Sequence, residues 1–163
     1  MKNIKKEVFF NSLGGNAYCI IKTNIGKFEG DALFNYKEEK GKPSEWVGCS
    51  IAENRALIAY TKEKIRLKKA EIKGLERFIK SYYTDPKTQA KAKKLLQAMI
   101  EELKELNEMV EEYNKDIEAA IKSQETYTRL RNIDRGARDA QMRFIQQGIA
   151  ALKTAPSEKD KND

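Results

Sequence analysis

The chain has 163 residues, 40% of them apolar and 35% charged, with a formal net charge of +7 and no histidine. That length allows one domain, or a small domain with a long appendage, and the charged share is high for a compact globule. The missing histidine removes the commonest general base, the commonest zinc ligand and every Ser-His or Cys-His nucleophile, so a non-enzymatic role without metal or cofactor is expected.

The N-terminal "MKNIKKEVFFNSLGGN" holds an apolar run too short for a signal peptide, and no stretch approaches a membrane span. Cys19 and Cys49 match no metal or redox spacing. Cytoplasm is the expected location, and no membrane partner is expected. The positive balance favours anionic partners such as nucleic acid, nucleotides or acidic protein faces.

Residues 5–36 read as strands. "KKEVFFNSL", "AYCIIKT" and "KFEGDALFNY" are β-branched and aromatic runs broken at Gly14-Gly15-Asn16 and at Asn24-Ile25-Gly26, the signature of a three-stranded antiparallel meander. A polar loop, "KEEKGKPSE", follows at 37–45. The fold class is therefore α+β: an antiparallel sheet and loop over 1–49, a long helical hairpin with a C-terminal helix over 50–153, and a disordered polar tail over 154–163.

Ser50 and Glu53 form a capping box that predicts the start of the first helix, with an end near Tyr83. Asp85 as N-cap and Pro86 at the first helical position predict the start of the next. In the first helix Ile51, Ile58, Ile65, Ile72 and Ile79 recur at every seventh position. In the second, Ala92, Leu96, Met99, Leu103, Leu106, Val110, Tyr113, Ile117, Ala120, Gln124 and Tyr127 alternate by four and three, a coiled-coil seam. Folding the helices back on each other pairs Ile51 with Ile117, Ile58 with Val110, Ile65 with Leu103 and Ile72 with Leu96, each pair at one constant sum of positions. The basic first helix then faces the acidic run 101–118. Such surface pairs are individually worth ~0–1 kcal/mol, so they select register more than they stabilise.

The seam is lopsided. Where the second helix presents Met99, Leu106, Tyr113 and Ala120, the first offers Asn54, Thr61 and Lys68. An incompletely covered stripe of that length predicts a homo-oligomer formed through the helical hairpin.

Beyond Tyr127 the cations change to Arg129, Arg131, Arg135, Arg138 and Arg143, and Gly136 is a place for a bend. Ala140, Phe144, Ile145, Ile149 and Leu152 offer an apolar face to the sheet or to a partner. The antiparallel hairpin directs this segment back toward the sheet, where Phe28 and Trp46 lie. An arginine fork grips phosphate in bidentate fashion and its plane stacks on bases or rings. The candidate ligand site is therefore Arg129, Arg131, Arg135, Arg138 and Arg143 with Tyr127, Phe28 and Trp46. The alternative is a solvated helix face with Asp134 and Asp139 as local partners. Gly48-Cys49-Ser50 opening a helix, with Arg55 one turn on, is a second candidate anion site, and the capping box alone also accounts for it.

"GKFEGDALFNY" followed by "GCSIAENRALI" resembles small proteins encoded by phages of Gram-positive bacteria. In these a G-x-A strand precedes a G-x-x-I-A-x-x-R-A helix start, matched here by Gly30 and Ala32, then Gly48, Ile51, Ala52, Arg55 and Ala56. The resemblance spans roughly residues 26–60 and carries no site residue across. The overall plan is also similar to phage anti-defence sponges, oligomers that sequester the cyclic ADP-ribose or cyclic nucleotide signals of bacterial immunity. That likeness implies a non-enzymatic binder of a nucleotide-like anion in the host bacterial cytoplasm. The alternative readings are a basic nucleic-acid-binding protein or a coiled-coil inhibitor docking on a host protein.

Overall fold

The computed structural model describes residues 4–34, 44–81 and 85–154, with side chains in the last stretch taken at 85–126 and 136–150. Most of the 37–45 loop, Tyr82–Thr84 and the tail from 155 lie outside the described residues. The order is β1 (Lys5–Asn11), β2 (Asn16–Thr23), β3 (Gly26–Ala32), α1 (Glu45–Ser81) and α2 (Pro86–Thr154). The three strands form one antiparallel sheet in the order β1-β2-β3, as the α+β meander requires.

The first turn is built by Asn11, whose Oδ1 accepts from the backbone N–H groups of Leu13 (3.0 Å) and Gly14 (3.3 Å). Gly15 then takes φ 65° and donates to the Asn11 carbonyl at 2.8 Å, a conformation that costs a side-chain-bearing residue more. The second turn passes through Asn24 and Ile25, with Thr23 opposite Gly26.

Alternation along β2 turns Ala17, Cys19 and Ile21 inward, where they meet Ala32 of β3 and Ala52 and Ala56 of α1. These are small side chains, and their size has a geometric purpose. A Cβ added to Gly30 would stand 2.1 Å from the Ala52 carbonyl oxygen and 2.4 Å from the Ala56 nitrogen. Helix and strand backbones therefore touch directly. Arg55 fastens the contact by donating from Nη1 to the Asp31 carbonyl at 2.6 Å. Gly30, Ala32, Ala52, Arg55 and Ala56 are thus packing residues, which explains why they stand together in the sequence.

The first helix begins earlier than the capping box implies. Ser44 is the cap: its Oγ accepts from the Val47 N–H (3.4 Å) and its carbonyl from the Gly48 N–H (2.9 Å). Ser50 lies inside the helix, where its carbonyl accepts from the Asn54 amide at 3.0 Å. Glu53 pairs across with Lys6 of β1 (2.5 Å) rather than back to its own helix start. The early start seats Val47, which is buried. At the other end, Asp85 caps α2 through the Thr88 N–H (2.7 Å), with Pro86 next, as read from the sequence.

The hairpin forms with the expected sense. The Ser44 N–H donates to Gln124 Oε1 (3.3 Å) and Lys68 meets Glu102 (2.8 Å), both compatible with the isoleucine register. The stripe thought to be uncovered is closed at two of its four residues within one chain: Leu106 and Ala120 are buried, and Met99 and Tyr113 half-buried. The polar row of α1 fills the space. Thr61 is 1% exposed, Asn54 returns its amide to its own helix, and Lys68 lays its stem along the seam before reaching Glu102. Burial also raises the Tyr113 hydroxyl pKa.

The C-terminal helix is the continuation of α2, which runs unbroken through Gly136 for 69 residues, about 100 Å at ~1.5 Å per residue. It packs on α1 and, among the described residues, touches no strand. The expectation that the segment after Tyr127 returns to the sheet is therefore overturned. A straight helix that leaves the end of its partner has nothing to turn it back.

Two glycines separate close approach from mere presence. Gly30→Ala should cost about 3 kcal/mol, because helix and strand must be forced apart. Gly74→Ala, where an added Cβ meets nothing within 4 Å, should gain about 1 kcal/mol. Urea denaturation of both variants checks the pair, and a tolerated Gly30→Ala would contradict the contact.

Candidate functional site

Among the described residues, those proposed for a ligand site divide between the sheet–helix base, which holds Phe28, Trp46, Ser50 and Arg55, and the far part of α2, which holds Arg138 and Arg143. Arg138 and Arg143 stand on the exposed final part of α2, with Phe144 at 77% exposure beside them. Side chains of Tyr127, Arg129, Arg131 and Arg135 lie outside the described residues. Phe28 belongs to the base, tilted against Tyr60 with ring centroids 5.3 Å apart, and Lys64 Nζ sits 5.5 Å from the Tyr60 ring. Arg55 is committed to Asp31.

The second candidate, an anion cradle at Gly48-Cys49-Ser50, is also overturned. These residues occupy the first turns of an established helix, and the Gly48 N–H is spent on Ser44. The true N-terminus carries Glu45, a carboxylate that already complements the helix dipole and opposes a bound anion.

What the fold does create is a groove. The contacts of α1 lie mainly over β2 and β3 and reach β1 only marginally. The helix-facing side of β1 is left beside an open cleft of about 830 Å³. Val8 and Phe10 line it from the strand, and Trp46, Cys49, Ser50 and Asn54 from the helix, with Glu45 and Glu53 as its carboxylates. Trp46 is 67% exposed. Two predicted residues, Trp46 and Ser50, thus fall in one place, but in an apolar cleft edged by Glu45 and the Lys6–Glu53 pair rather than a phosphate site. The alternation Lys6, Val8, Phe10 was its only signal in the sequence. Nothing there told that α1 would stop short of β1.

Neither thiol is activated toward the thiolate. Cys19, fully buried, has its pKa raised by burial, with the Glu53 charge adding to it. Cys49 is raised by burial first and then by Glu45 and Glu53. Among the described residues no group of three His, Cys, Asp or Glu side chains could hold a metal ion, and no helix is long and apolar enough to cross a membrane.

The second surface is the end of α2. From residue 125 onward the helix lies past the start of α1, forming an arm of about 45 Å at ~1.5 Å per residue. Every side chain from 136 to 150 is exposed, Met142, Phe144, Ile145 and Ile149 included. Comparison with protein-family models, curated proteins and solved structures returns no match for this chain.

A raised thiol pKa gives a pH signature. Because burial keeps Cys19 neutral, its stability contribution is complete below the unfolded thiol value of about 8.5, and declines as pH rises toward the higher folded value. Urea midpoints should therefore fall between about pH 7.5 and about pH 9.5, and fall less in Cys19→Ala. An equal fall in the variant would remove Cys19 as the cause.

Proposed function

We propose that the chain is a non-enzymatic interaction protein whose binding element is the helical arm, residues 125–154. The observation carrying this is the exposure of four large apolar side chains on a helix that continues past its last contact. An isolated helix gains little from its own backbone bonds, and most helical stability in proteins comes from packing an apolar face. An apolar helix face that also carries cations fits a protein groove bordered by carboxylates, as helix-in-groove recognition does. The sheet and hairpin act as the rigid base that presents it.

A nucleotide-type or nucleic-acid ligand is the second reading, favoured by the exposure of Arg138 and Arg143 on the same arm. It has less support, since the cleft beside β1 is edged by Glu45 and by Glu53, the latter paired with Lys6. The phage resemblance stays part of the proposal at the level of origin, because the residues carrying it are packing residues and say nothing of a ligand.

Truncation after Thr126 tests the assignment. The shortened chain should keep its cooperative unfolding while losing the protein association that light scattering and capture from bacterial extract detect for the full chain. Association that survives truncation would contradict the role of the arm. So would cyclic nucleotide or DNA binding as the sole activity of the full chain.

A further inference from the structure

Two surfaces of this chain complement one another, and a single copy cannot join them. The first is the cleft between β1 and α1, with Val8, Phe10, Trp46 and Cys49 as its apolar lining, and Glu45 and the Lys6-paired Glu53 as its carboxylates. The second is the arm. At ~100° per residue, Ala140, Phe144 and Gly148 fall on one line with Ile145 and Ile149 beside it, an apolar arc of about half the circumference. Arg138 falls within the arc, between Ile145 and Ile149, as does Gln141, and Arg143 lies past its Ala140 edge. Asp139 and Gln146 point away from it.

The charges are of opposite sign: Glu45 at the cleft, where Glu53 is already paired with Lys6, and Arg138 and Arg143 on the arm. The shapes also match, because a two-layer fold covers a sheet with helices, and α1 leaves the β1 side open. The chain's own arm cannot enter. α2 passes the start of α1 at Gln124, which is bonded to Ser44. Every later residue of the unbroken helix lies beyond that end, whereas the cleft runs back along α1 from Glu45 to Asn54.

We infer that the occupant of the cleft is the arm of a second copy, the two arms being exchanged about a two-fold axis. Such an arrangement is self-complementary and closed, so it makes two identical contacts and leaves neither surface unpaired. This rests on the reading of the arm as the binding element and adds whose surface it binds. It also places Arg138 and Arg143 of one copy near Glu45 and Trp46 of the other.

Full-length chains test it by light scattering and by cysteine pairing. Wild type should weigh about twice the 18.7 kDa chain. Phe144→Glu damages the arm and Trp46→Arg damages the cleft, both at exposed positions, so each variant alone should return to the mass of one chain. Mixed in equal amounts, they should recover a species of two chains, since one good arm then meets one good cleft. Cys49 supplies the covalent check: Phe144→Cys should give an oxidised dimer that Gln146→Cys does not, and that disappears when Cys49→Ser is added.

A monomeric wild type at high concentration overturns the inference and leaves the arm to a foreign protein. Dimers lost with Phe144→Glu but kept with Trp46→Arg, or a mixture that fails to recover, also overturn it and indicate arm pairing with arm. Dimers indifferent to Phe144→Glu overturn both this inference and the arm's role.

Discussion

The direct contact between the backbone of α1 and that of β3 is the constraint on which the rest of the architecture depends. Gly30 removes the side chain that would separate them, and Ala52 and Ala56 keep the helix surface flat where it lands. A core this thin cannot accommodate a helix centred on the sheet with large side chains beneath it. α1 is drawn onto β2 and β3, and β1 is left with one face beside an open cleft. The cleft is thus a consequence of close packing elsewhere.

Having given one face to the sheet, α1 has its opposite face for α2. That face is narrow, with isoleucines on one row and Val47, Asn54, Thr61 and Lys68 on the other. The polar row is satisfied within the seam, and no buried side-chain nitrogen or oxygen among the described residues lacks a partner. Polar groups at such positions cost stability but select one register, because a shifted pairing would strand them. A well-defined register matters here, since it fixes where α2 outruns α1 and hence where the arm begins.

Much of this was legible in the sequence. Strand breaks at Gly14-Gly15 and around Asn24, the Asp85-Pro86 start and the isoleucine pairing are local chemistry or periodicity, and such signals survive without tertiary information. The start of α1 was misread because two serines compete as caps. Ser44 prevails since it allows Val47 to be buried, a tertiary gain that a capping motif does not display. The coverage of Leu106 was misjudged for a related reason: Thr61 and the stem of Lys68 fill space as well as apolar residues do. The path after Tyr127 was not legible at all. Gly136 permits a bend, but whether the helix bends depends on what it would meet. The candidate arginines were placed near the sheet by the direction of the hairpin, which carries α2 past the start of α1 but onto no strand.

The central claim is that the molecule consists of a self-sufficient base and an arm completed by a second copy. Hydrogen exchange followed by mass spectrometry, at low and high protein concentration, addresses it most directly. Peptides spanning β2 and the middle of α1 should exchange at one slow rate at both concentrations. Peptides covering 136–150 should gain protection as concentration rises, and those covering Val8–Phe10 and Glu45–Ser50 should gain it in step. Arm protection that is independent of concentration, or that rises while the cleft peptides stay unchanged, would contradict the account.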